Sequence, residues 1–271
     1  MRSGKVFGRF LALVPVLLAI TFVTFALLRL AGGDVVTQKM ENTGQVLSPE
    51  VVAEARRELG LDRPFLVQYA RWLAGILQGD MGKSYVSGLD VFDTFVSKLP
   101  ATLLLAGAAV GLTALVSVPL GTLAAMRRGG VVDRAVRLLS FVGNSAPNFF
   151  VALLLMYVFA IRLELLPVLS REPSLRGAIL PALTLATAMS AKYVRQVRAA
   201  VLDELQKPYV EGARARGVPE WRTMLFGVLR ASGVTIVTLL ALSIGSLLGG
   251  AAIVETIFMW DGVGRLAVEA I

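Results

Sequence analysis

The chain has 271 residues, 56% of them hydrophobic and 17% charged, with a mean hydropathy of +0.71; its apolar residues run in long blocks that match the roughly 20 residues needed to cross a bilayer rather than in the short faces of a soluble domain. The formal charge of +8 is the Lys and Arg of membrane-protein loops, and no basic run is interleaved with aromatics, so nucleic acid is excluded as a partner. The absence of Cys and His excludes a disulfide framework and thiolate chemistry, and removes the usual general base and commonest transition-metal ligand.

In chain order, the first apolar block runs from about Phe10 to Leu28, behind Arg2, Lys5 and Arg9. It is longer than the apolar core of a secretory signal, and Ala31-Gly32-Gly33 lacks the A-x-A spacing of a cleavage site, so it reads as an uncleaved span. A polar segment follows from Gly32 to Lys98, with amphipathic stretches PEVVAEARREL and FLVQYARWLAGIL. Ser48 as N-cap and Pro49 at the first helical position predict a helix start there. Further spans are expected over 101–126, 138–161, 179–194 and 234–254, ahead of a mixed tail from Glu255 to Ile271.

Arg127, Arg128, Arg134 and Arg137 lie between the second and third spans, and a larger cluster from Lys192 to Arg230 lies between the fourth and fifth. Both join the N-terminal cluster on one side if the N-terminus is cytoplasmic, which leaves 32–98 outside. The reading is an all-α, polytopic membrane helical bundle, one domain over 1–271. Five spans are present, and the chain is expected to lack a sixth, C-terminal one.

The segment Gln206–Arg222 is the most informative. Pro208 opens a short helix, because its missing N–H would be an orphan there anyway. Gly217 closes that helix in the left-handed conformation, and Pro219 prevents continuation. Glu211 then sits near the positive end of the helix dipole, and Arg214 and Arg216 near the negative end. Gly212, Ala213 and Ala215 form a small-residue face open to another protein, with Trp221 and Met224 as anchors on a second helix. The physics alone suits an ordinary basic loop equally well.

These residues resemble the EAA loop, E-A-A-x-x-x-G, of binding-protein-dependent importer permeases: Glu211, Ala213 and Gly217 match, and Gly212 replaces the first Ala. Tyr209 to Gly217 is similar to Y-V-x-x-A-R-x-K/R-G of the peptide/nickel class. The likeness continues in register through 14–34, 60–85, 99–121, 145–160, 180–186 and 249–271, and departs at Val35, Ala231 and Thr235. It implies a permease subunit of an ATP-driven importer moving small peptides or nickel and metal chelates across the cell membrane. The partners implied are a second homologous permease, two ATPase subunits and an extracytoplasmic solute-binding protein, besides the bilayer itself. Tyr209, Glu211, Gly212, Ala213, Arg214, Arg216 and Gly217 become the ATPase-coupling residues of a cytoplasmic segment, 195–230. ATP and Mg belong to the partner subunits, and this chain carries no cofactor, metal or catalytic residue. Members of the family continue with another span beyond the equivalent of Ile271.

Other motifs weigh less. Gly82-Lys83-Ser84 ends like a phosphate-binding loop, but Leu77 stands where its first Gly belongs; Gly262-Val263-Gly264 lacks a third Gly and a preceding strand. Gly107/Gly111 and Gly245/Gly249 have the spacing of close helix packing. Most Ser and Thr in the spans suit bonds to their own helix backbone. Asn144 and Asn148, read as one helical face, and Glu255 at a span end are harder to satisfy in lipid and are the candidate pathway residues. A self-contained secondary transporter or channel would show internal repeats. A membrane enzyme without His or Cys would be reduced to Ser–Lys or carboxylate chemistry.

Overall fold

The computed structural model describes residues 3–31, 49–58, 60–84, 87–168 and 174–270. They form two compact units, one from Met1 to Phe95 with Ala270–Ile271, the other from Val96 to Glu269. The Ser48 cap expected above lies outside the described residues.

In the first unit, α1 (Ser3–Ala31) carries the first apolar block. Next come α2 (Pro49–Glu58), which includes the expected Pro49, and α3 (Phe65–Leu77). Phe22 and Phe25 of α1 meet Phe65 and Tyr69 of α3 at ring-centroid distances of 5.2–5.6 Å, and Phe25 also meets Trp72 at 5.5 Å. Offset and edge-on geometries of this kind add attraction beyond area burial.

The second unit is built on α4 (Val91–Met126, included from Val96), α5 (Val131–Ser145), α6 (Asn148–Leu155) and α7 (Leu175–Leu205). The chain then forms α8 (Pro208–Ala215), α9 (Glu220–Arg222) and α10 (Leu229–Gly250), and ends in α11 (Ala252–Ile257) and α12 (Val263–Glu269). Wide π-helical turns at Met156–Arg162 and Thr223–Val228 extend α6 and join α9 to α10. Among the described residues, four helices are long and apolar enough to cross a membrane: Ala12–Leu30, Val91–Met126, Leu175–Leu205 and Glu220–Gly245.

Two expected spans differ in form. The block expected over 138–161 is broken into α5 and α6, which meet at 100° and make a fifth crossing only if the bent pair is one span. The cause is Pro147: it forces Ala146 out of the helical region, to ψ 125°, and has no N–H to continue the ladder. The last block ends at Gly250 rather than Val254, because the chain turns at Ala251 into α11.

One apolar cluster joins Leu105 and Ala109 of α4 to Ala152, Leu180, Leu185, Val254, Phe258 and Trp260. A second joins Ala125, Val197 and Val201 to Val210, Met224 and Val228. Within the chain, one close helix contact falls at a glycine outside the two expected motifs. A Cβ at Gly107, Gly111 or Gly245 would meet nothing within 4 Å, whereas one at Gly121 would lie 2.8 Å from Val197 of α7. Gly121 lies on the buried face of α4, where the lack of a side chain lets α7 approach closely.

Candidate functional site

The Gln206–Arg222 segment folds as its sequence dictates. α8 starts with Pro208 in its first turn, and Glu211 lies there at the positive end of the dipole. Gly217 has φ +74°, and its N–H donates to Arg214 O at 2.9 Å while Val218 N–H donates to Ala213 O at 3.1 Å. This pair of bonds is the Schellman motif, which satisfies carbonyls that the helix end would otherwise leave orphaned.

The small-residue face divides differently from the expectation. Val210 and Ala213 are buried, Val210 in the second apolar cluster, and so is Met224, whereas Glu211, Arg214, Ala215 and Arg216 are exposed. Gly212 is half-covered, because the Arg216 guanidinium would lie 3.3 Å from a Cβ there. Val210 and Ala213, three apart, face the bundle, so the outward surface is charged. Arg214 pairs with Glu220 at 2.9 Å, and Trp221 stays exposed with the Arg222 guanidinium 5.1 Å over its ring.

Residues outside the expected set fix the corner between α7 and α8. Glu204, buried at the end of α7, accepts from Lys207 Nζ at 2.6 Å. Burial and the hydrogen-bonded Glu204 carboxylate push the Tyr209 phenol above its ordinary pKa. The Tyr209 ring lies over Gly227, where a Cβ would come within 3.3 Å. Nearby, Asp133 of α5 is buried and takes two bonds from Arg198 of α7, Nε at 2.6 Å and Nη2 at 2.8 Å, plus Gly129 N–H at 2.9 Å. The sequence signal was present, since Asp133 is the one acid between Arg127 and Arg137.

Asn144 and Asn148 do not share a helical face, because Pro147 puts them on α5 and α6. The bend nevertheless brings both to one cavity of about 220 Å³, with Leu185, Met189, Lys192, Tyr193, Ser243 and Leu247 among the residues that line it. The Tyr193 hydroxyl is held by Ser243 and by Leu239 O. Many of the remaining span hydroxyls bond their own helices, as expected: Thr113 to Ala109 O, Thr184 to Leu180 O and Thr187 to Leu183 O.

Glu255 is not among the residues lining that cavity. It is fully buried in α11, where Oε1 accepts from Thr102 Oγ1 at 2.9 Å and Oε2 from Arg265 N–H at 2.8 Å. Thr102 Oγ1 in turn accepts from Val263 N–H at 2.8 Å. The carboxylate occupies space a side chain would need: a Cβ at Gly262 would come within 2.5 Å of it. Trp260 Nε1 donates to Ala101 O at 3.0 Å, and Lys98 pairs with Asp261. Together these bonds fasten the α11–α12 hairpin to α4, and Gly262-Val263-Gly264 is the turn that lets it close.

The family described as binding-protein-dependent transport system inner membrane component matches residues 117–271, and its N-terminal counterpart matches residues 5–106. The chain is 34% identical to a di/tripeptide transport system permease protein of Pseudomonas aeruginosa, over 96% of this chain and 84% of that one. It is 34% identical to an oligopeptide transport system permease protein of Bacillus subtilis, over 99% and 87%. A dipeptide transport system permease protein of Escherichia coli is 32% identical over 95% and 84%.

Proposed function

Because the chain belongs to the family of binding-protein-dependent transport system inner membrane components, we propose that it is one permease subunit of an ATP-driven importer of short peptides. It pairs with a second, homologous permease. Two ATPase subunits, which bind ATP and Mg, dock on its cytoplasmic side, and an extracytoplasmic solute-binding protein delivers substrate. The names of the relatives favour peptides over nickel or metal chelates. The N-terminus is cytoplasmic, which puts α8 and the Arg-rich corners on the ATPase side and residues 32–98 outside.

The observation that carries this reading is α8: a helix with one buried face, a left-handed Gly217 stop and an outward rim of Glu211, Arg214 and Arg216. Ala213 serves it from within, and the half-covered Gly212 and the partly exposed Tyr209, whose ring lies over Gly227, flank it and hold the angle at which the rim meets the ATPase. Rigid movement of α8–α10 passes the ATPase cycle to the helices around the Asn144–Asn148 cavity. That cavity is the candidate route, with Lys192 as a cation at its wall.

The test is reconstitution of the chain in liposomes with its homologous permease, ATPases and binding protein. ATP-dependent uptake of a labelled dipeptide is expected, and the chain alone hydrolyses no ATP. Uptake of a nickel chelate without peptide uptake would replace the substrate class. Transport without the ATPases would replace the reading by a secondary transporter.

A further inference from the structure

We propose that α3, in the segment that follows the first span, is a membrane-embedded interfacial helix whose apolar face is covered by lipid acyl chains. The bilayer level is set by α1, whose apolar stretch Ala12–Leu30 is 19 residues long and 6% buried, or ~28 Å at 1.5 Å per residue. Thr21 is the midpoint of that stretch. The Tyr69 hydroxyl of α3 donates to Leu18 O at 3.2 Å and lies 3.0 Å from Thr21 Oγ1. The rings of Phe65, Tyr69 and Trp72 cross α1 at Phe22 and Phe25, which lie ~8–12 Å inside Leu30. An α3 standing in water could not make these contacts without lifting half of the apolar stretch out of the bilayer.

Composition and hydrogen bonding agree with that depth. An apolar helix of 10–14 residues is too short to span and suits an interfacial or re-entrant position, and α3 has 13. Leu66, Val67, Trp72 and Leu77 are exposed on it, as are Leu17, Ile20, Leu27 and Leu28 of α1. Its charged residue, Arg71, carries its head back to Gly60, with Nη1 3.9 Å from the Cβ position there, as a snorkelling side chain does. Backbone carbonyls just before α3 and in its last turn find partners within the chain, as a position in lipid favours. Gln68 Nε2 donates to Leu61 O at 3.2 Å and Arg63 O at 2.8 Å at the entry, and Asp80 N–H donates to Gly75 O at 2.9 Å at the exit.

The topology proposed above puts α3 in the outer leaflet; its contact with lipid does not depend on that topology. The natural lack of Cys allows single nitroxide labels at Leu66→Cys and Leu77→Cys in the full chain. The labelled chain, assembled with its partner subunits in phosphatidylcholine–phosphatidylglycerol liposomes, is compared with Ser87→Cys for access to oxygen and to a water-soluble nickel chelate. At Leu66 and Leu77 access to oxygen should exceed access to the chelate several-fold, with the reverse at Ser87. Greater access to the chelate at both α3 sites would place the helix in water. Low access to both reagents would mean a protein partner covers it. Either result overturns the proposal, and neither depends on transport activity.

Discussion

Gly217 holds φ +74° with open space where its side chain would be. Substitution there therefore tests backbone conformation and not packing. Gly217→Val should cost about 1–2 kcal/mol locally, and more where branching at Cβ resists the left-handed region. Co-purification of the ATPases and peptide uptake should fall, while membrane insertion stays normal; wild-type values of both would remove α8 from coupling. Thr102 is the second residue of this kind. Thr102→Val strips a donor from the buried Glu255 carboxylate and an acceptor from Val263 N–H, at about 2 kcal/mol for groups left unpaired. A lower melting temperature in detergent is expected, with Thr102→Ser close to wild type. In the cavity, Asn148→Leu should lower uptake by roughly tenfold, for one polar contact of ~1.4 kcal/mol lost to the substrate, with ATPase binding unchanged. Unaltered uptake would take the cavity off the route.

Charge fastens some of the elements at a corner. α5 is tied to α7 through buried Asp133 and Arg198, and Asp133→Asn leaves the guanidinium without its bidentate partner. Removing one half of such a pair costs about 3 kcal/mol, less where the remaining charge reaches water, as Arg198 partly does. Thermal unfolding should report that loss, and Arg198→Lys, a point charge without the planar fork, should recover only part of it. α8 is a different case, since its outward rim is solvated. Glu211→Lys changes a favourable dipole interaction of about 0.3–1 kcal/mol into an unfavourable one, so folding should survive. Any loss of ATPase docking then measures the surface contact, which a pull-down at rising salt would separate from structure.

At the scale of the whole molecule, the topology makes one testable statement. Ser87→Cys and Ala215→Cys, both at exposed positions, should label from opposite sides of the membrane with an impermeant maleimide. Labelling of Ser87→Cys from the cytoplasm would invert the orientation. By itself the sequence determined the helical membrane class, the first, second and fourth crossings, and the Pro208-to-Gly217 helix, because apolar run length, proline and left-handed glycine are local constraints that need no partner. Only the tertiary structure decided which side of α8 is buried, since an eight-residue helix carries too few apolar positions to define a face. It also decided that Pro147 breaks the third block and still brings Asn144 and Asn148 to one cavity. It gave Glu255 a buried hydrogen-bonding post, put a close helix contact at Gly121, and set α3 against the middle of α1. Each of these depends on which surfaces meet, and residues far apart in the chain, such as Thr102 and Glu255 or Tyr69 and Leu18, carry no local signal of their pairing.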